Sequence, residues 1–121
     1  MEVLMQKQKS SYVHQDEIPW QNHPFLSVVK IKRFISAKDQ LGITYFLATV
    51  AKGKKIDVHI HDNSDDYLFI LEGKGEMFIE DTGVIDLYPG VFVRVPKGFK
   101  HGIGEVYEDL LYLDIFHPEA F

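Results

Sequence analysis

The sequence predicts an all-β protein, a single domain built as an antiparallel sandwich or barrel. Three observations lead there. Eight short apolar runs rich in Val, Ile, Phe, Tyr and Leu follow one another at close spacing, and these residue types favour a pleated, half-buried surface. Turn residues separate the runs, and eight of the nine glycines fall between Gly53 and Gly104. No segment sustains the 3.6-residue apolar period of an amphipathic helix.

Residues 1–24 are polar and mixed, with Pro19, Trp20 and Pro24 interrupting any period; they read as an N-terminal lead-in to a single domain over 25–121. The first run, FLSVVKIKRFI (25–35), is long and apolar. Left at an open sheet edge it would invite pairing with a second chain. Ser36 to Leu41 has room for one helical turn before GITYFLATV (42–50) and IDVHI (56–60). The run YLFILEG (67–73) is apolar on both faces at Tyr67–Leu71, as for a strand covered on two sides. Gly73-Lys74-Gly75 then reads as a turn into EMFIE (76–80), followed by VIDLY (84–88), VFVRV (91–95) and finally LLYLDIF (110–116). Asp81-Thr82-Gly83, Tyr88-Pro89-Gly90 and Pro96-Lys97-Gly98 carry turn chemistry between them.

Composition excludes several classes of function. At 121 residues, one compact core accounts for the whole chain. Thirteen Lys and Arg against eighteen Asp and Glu give a net charge of −5, unsuited to a nucleic-acid backbone. With no cysteine, there is no disulfide, thiol nucleophile, Cys-ligated zinc or iron–sulfur cluster, so any metal must be held by His, Asp or Glu. No apolar run is long enough to span a bilayer, and the N-terminus lacks the pattern of a secretory signal. The cytoplasm is the expected compartment, and no membrane partner is expected.

Chemistry concentrates in the histidines. His59 and His61 stand two apart in a segment that reads as a strand, so both leave one face with Cα atoms about 7 Å apart. Alone, such a pair is as easily solvent-facing. Its surroundings are more specific: Gly53, His59, His61, Asp66 and Gly73 read G-x5-H-x-H-x4-D-x6-G, while Gly90, Pro96, Gly98 and His101 read G-x5-P-x-G-x2-H.

These two blocks resemble the paired signature motifs of the cupin superfamily, with Asp66 where that family has Glu and Glu105 where its second block commonly closes with Asn. The resemblance implies a single-domain cupin β-barrel, or jelly roll (double-stranded β-helix), with a strand-exchanged homodimer. It implies that His59, His61, Asp66 and His101 line the barrel and hold one divalent transition metal. Three imidazoles and one carboxylate suit Fe, Mn, Ni, Zn, Co or Cu. Aspartate is one methylene shorter than glutamate, which leaves three outcomes: Asp66 as a direct ligand, Asp66 bound through water, or no tight metal. Asp65 also fits the family's looser spacing. Since imidazoles bind metal only when neutral, retention is expected to fall below about pH 6.

The closing run alternates, with Leu111, Leu113 and Ile115 expected on one face packed between sheets and Tyr112, Asp114 and Phe116 on the other. A lone buried carboxylate is costly without a partner. Asp114 is accordingly either a barrel-lining general acid or base, with Tyr112 as cavity wall, or an edge-strand aspartate in water or paired with a lysine. Leu113 to Pro118 also resembles the closing strand of small cupins that ketonise uronates in sugar catabolism, but the arginine which follows the proline in that group is missing here. Arg94 is expected on the outer face. His14, His23 and His117 have no ligand spacing and read as surface or packing residues.

Two functions of different class follow. One is a metal-dependent enzyme acting on a small organic molecule, of dioxygenase, isomerase, lyase or decarboxylase type. The other is a non-catalytic binding or sensor protein whose barrel holds a sugar or small acid. Fold alone does not separate them.

Overall fold

In a computed structural model, residues 9–121 are described; the first eight residues of the expected lead-in lie outside that part. Eight strands follow in order: β1 (Gln21–Asn22), β2 (Val29–Ile35), β3 (Thr44–Val50), β4 (Ile56–His59), β5 (Asp65–Ile79), β6 (Gly83–Leu87), β7 (Phe92–Val95) and β8 (His101–His117). The regular helices among the described residues are two 3-10 turns, Gln15–Glu17 and Ala37–Asp39. The second fills the expected helical turn, with the Ser36 N–H donating to the Asp39 carboxylate at 2.9 Å. No helix among the described residues is long and apolar enough to cross a membrane.

Every strand pair is antiparallel, in the order β1-β2-β3-β8-β5-β6, with β4 added to β8 and β7 added to β5. The two long strands organise the domain. β5 and β8 pair from Asp65↔His117 to Ile79↔His101, with register shifts between Ile70 and Met77 where bulges interrupt the ladder. One end of β8 pairs with β3 and the other with β4, so a single strand serves two parts of the barrel wall. Inside sit Ile31, Phe46, Ile70, Met77 and Leu110, each at most 1% exposed. Burying such side chains is the main favourable term in folding.

Three sequence expectations need correction. The runs 67–73 and 76–80 belong to one strand, and Gly73-Lys74-Gly75 is an interruption within β5 rather than a turn. Gly73 has φ +94°, and a Cβ there would collide with the Asp109 carbonyl on β8; one at Gly75 would lie 2.6 Å from the Glu105 carbonyl. These glycines serve the close approach of two backbones. The last strand begins at His101 rather than Leu110, because its first half, GIGEVYED, is held by pairing with β4 and β5 and not by apolar character. Finally, Leu111, Leu113 and Ile115 are half-buried on the outside rather than packed between sheets, while Tyr112, Asp114 and Phe116 point into the core at 3%, 5% and 2% exposure.

β2 begins at Val29, and β1 pairs with it at Gln21↔Ile31 and Asn22↔Lys30, so the chain itself covers part of the edge expected to be open.

Candidate metal centre

His59 closes β4 and His101 opens β8, and the two are register partners. His61 lies just beyond the end of β4. The ring centroids are 4.4 Å apart for His59 and His101, 4.9 Å for His59 and His61, and 5.0 Å for His61 and His101. One potential ligand atom from each ring lies within 4.8 Å of the other two.

Second contacts orient two of these rings. His59 Nδ1 stands 2.8 Å from the Asp57 carbonyl and His101 Nδ1 3.1 Å from the Phe99 carbonyl. A carbonyl only accepts, so each Nδ1 carries the proton and donates it, leaving the Nε2 lone pair free, the form a metal-ligating histidine takes. His101 Nε2 is fully enclosed with no hydrogen-bond partner among the described residues. Burial pushes the His61 imidazole down to about 4, and the neighbouring His101 and His59 rings add to that, against the opposing pull of Asp66. Burial lowers His59 as well, partly offset by its bond to the Asp57 carbonyl. Burial thus favours the neutral form of His59 and His61.

Asp66, near the start of β5, is 4% exposed, and its Oδ2 lies 3.5 Å from His101 Nε2 and 3.8 Å from His61 Nε2. An unprotonated ring nitrogen and a carboxylate oxygen facing one space repel each other unless a cation lies between them. Asp66 Oδ1 is also enclosed and unpartnered. Three imidazoles, one carboxylate and these orphaned buried atoms fit a divalent transition metal. Asp65 points away: it accepts the Lys97 N–H at 2.9 Å and lies 3.5 Å from the Arg94 guanidinium. Arg94 is exposed on the outer face, as expected.

Asp114 packs beside Asp66. Their side chains hydrogen-bond, which needs one proton for the pair. Burial, the Asp66 charge and that bond push the Asp114 carboxyl well above the usual carboxylate range. Burial also opposes the charge on Asp66, but the Asp114 carboxyl and the neighbouring His101 and His61 rings outweigh it and hold Asp66 below its ordinary value. Asp66 is therefore the ionised member and Asp114 carries the proton. Tyr112 lines the same space, its phenol kept protonated by burial and by both acids.

The enclosed cavity among these groups leaves about 30 Å³ for the centres of water-sized molecules, and Leu68, Met77 and Ile103 form apolar wall. His23, Leu26, His59 and His61 also line an outer pocket of about 490 Å³, with Asp62, Asn63, Ser64 and Glu119 among its other walls.

His23 packs against Phe25, Phe46 and Phe121, as a packing residue would. It is 8% exposed, lines both the inner cavity and the outer pocket, and burial pushes its pKa down to about 4. No spacing in the sequence marks it, because it reaches the barrel mouth from the turn before β2. His14 and His117 are exposed. Trp20 lies away from the cavity, 41% exposed with the Lys32 ammonium 4.8 Å from its ring centre.

Residues 46–116, which include Asp114 and all four proposed ligands, match the family model of the cupin domain. The chain is a cupin. Solved structures agree on the fold. Ectoine synthase from P. lautus aligns with a TM-score of 0.80 and 16% identity over 92% of this cupin and 80% of that chain. KdgF from Halomonas sp. aligns with a TM-score of 0.79 and 20% identity over 93% and 96%. A predicted oxalate decarboxylase from Thermotoga maritima aligns with a TM-score of 0.78 and 16% identity over 89% and 99%. At these identities the likeness carries the jelly-roll fold and no activity. No curated protein matches the sequence.

Proposed function

We propose that this cupin is a metal-dependent enzyme acting on a small organic molecule, and that its reaction turns on a proton held at Asp114. The supporting observation is the Asp66–Asp114 carboxyl pair, placed against three imidazoles that line the same cavity. His59, His61 and His101 hold the metal, and Asp66 supplies the carboxylate. When bound, a divalent metal supplies Lewis-acid polarisation of a substrate oxygen.

The protein's own groups do the rest. Asp114 is held towards its protonated form because charging it would bury a second carboxylate beside Asp66. It donates that proton to a substrate atom at the inner end of the cavity, and as the carboxylate it takes a proton back. The apolar walls limit the water that competes for it. Reversible proton transfer, as in an isomerase or lyase, is the chemistry this pair supports best. The uronate-ketonising reading is not favoured, since among the described residues no lysine or arginine lines the cavity or the outer pocket. The homodimer that the resemblance implies stays part of the proposal and is read from the mass in solution.

The test is exchange in heavy water. Metal-loaded protein is incubated with a panel of small 2-oxo and 2-hydroxy acids and carbonyl compounds, and deuterium uptake at carbon is followed by NMR. Uptake by the native protein that Asp114→Asn loses supports an enzyme of this type. Tight binding of a panel member without exchange or turnover favours the binding or sensor role.

A further inference from the structure

The proposed metal-binding groups line the inner cavity, with His59 and His61 also on the boundary it shares with the outer pocket, and a fourth histidine stands at that boundary. His23 sits in the turn between β1 and β2. Its Nδ1 accepts two backbone hydrogen bonds, from Phe25 N–H at 3.1 Å and Leu26 N–H at 3.2 Å. That arrangement settles the tautomer: a nitrogen accepting two N–H groups has no proton of its own, so the neutral ring carries it on Nε2. This is the reverse of His59 and His101, whose Nδ1 atoms donate to carbonyls. Two histidines are prepared as electron-pair donors, while His23 is prepared as a proton-bearing hydrogen-bond donor.

The ring is also locked in place. Phe121 packs edge-on to it at 4.8 Å between centroids, with Phe25 at 6.0 Å and Phe46 at 6.2 Å. Its Nε2 makes no hydrogen bond among the described residues, yet it is not among the fully enclosed unpaired atoms. Its remaining exposure belongs to a ring that walls both the inner cavity and the outer pocket. A nearly buried histidine spending Nδ1 on its own turn and leaving Nε2–H open to a cavity is suited to a ligand that supplies an acceptor.

We propose that His23 is a ligand-binding residue of this cupin, whose Nε2–H donates to an oxygen of a small molecule reaching from the outer pocket to the histidine cluster. The inference rests on the proposed metal-dependent function and names the chemistry of what the site takes. The ligand is a small oxygen-bearing compound of low charge, a monocarboxylate or a neutral carbonyl. One oxygen is directed at the cluster and another accepts from His23. A highly charged anion is disfavoured by Asp62 and Glu119 on the outer rim and by the lack, among the described residues, of any lysine or arginine in either cavity.

Two substitutions separate this role from a structural one. In His23→Asn the side-chain oxygen takes the place of Nδ1, so the turn keeps its acceptor while the outer donor is lost. In His23→Gln the amide N–H₂ reaches the place of Nε2, restoring the donor. The probe is glycolate, a monoanion with two oxygen groups, titrated into the Co(II)-loaded protein and followed by the visible absorption of the metal. Cobalt affinity is measured separately by competition with a chelator. Glycolate affinity is expected to fall roughly tenfold in His23→Asn and to recover to within about threefold of native in His23→Gln, with cobalt affinity unchanged in both. Equal glycolate affinity in native protein and His23→Asn, or no saturable response in native protein that holds cobalt, overturns the proposal. Loss of cobalt in His23→Asn also overturns it, since the residue then serves the metal or the fold. A native protein that takes up no cobalt instead fails the metal reading. His23 is then judged in the metal-free protein, where a shift of its Nε2–H resonance with glycolate supports the proposal and an unmoved resonance overturns it.

Discussion

His59 and His101 are direct partners across the β4–β8 ladder, with ring centroids 4.4 Å apart. That pairing depends on the next residue of β8. A Cβ on Gly102 would lie 2.7 Å from the Ile56 carbonyl and 3.0 Å from the Val58 nitrogen. Only glycine lets β4 lie so close. Gly102→Ala is expected to push β4 off β8 and separate the two rings, lowering metal affinity about 10–100-fold while circular dichroism still reports a β-rich fold. Native affinity in a folded Gly102→Ala protein would show that β4 is not positioned this way.

Asp66 is expected to contribute less than a histidine. Asp66→Ala removes one charged donor and leaves three imidazoles, so chelator competition should show binding weakened but not abolished. Asp66→Glu lengthens the arm towards the cluster and should match native affinity or exceed it. Equal affinity in native protein and Asp66→Ala would remove Asp66 from the site.

For Asp114, asparagine is the informative replacement, because its N–H₂ still donates to Asp66 as the protonated carboxyl does. Metal content and melting temperature should survive, while turnover of any substrate found falls by about 10²–10⁴-fold. Retained turnover would move the proton transfer to another group.

Acid stability gives a sign to check. The folded protein holds His23 at about 4, below the ordinary value of 6.5. Between those values the unfolded chain takes a proton that the folded state refuses, so folding weakens as pH falls through that window and the contribution is complete above it. Asp114, with its raised pKa, acts in the opposite sense, losing stability as pH rises from the ordinary carboxylate value. Comparing native protein with His23→Asn cancels the Asp114 contribution. From about pH 6.5 to about pH 4 the difference in melting temperature should move in favour of the variant. Burial similarly lowers His59 and His61, so metal retention should extend below the pH 6 expected from free imidazole. A constant difference, or release of metal at pH 6, would contradict this.

The parts of the site written as local spacing were legible in the sequence. His59, His61, Asp66 and His101 stand in two short blocks whose glycines and proline set the turns, and alternation put Asp114 on one face with Tyr112 and Phe116, a face that the resemblance to small cupins turned inward. What could not be read depends on distant contacts. Gly73 and Gly75 have turn composition, but the β8 carbonyls pressed against them hold them within a strand. The first half of β8 is polar and rich in glycine, and its partners on β4 and β5 make it a strand. His23 reaches the cavity because the turn before β2 folds over the barrel mouth, a placement no periodicity encodes.

The central claim is that one divalent metal is held by His59, His61 and His101 with Asp66. The most direct measurement is elemental analysis of protein purified without chelator or histidine tag, native and with both His59 and His61 replaced by alanine. The account predicts close to one transition-metal ion per native chain and a folded double variant with none. A double variant that keeps its metal would contradict it.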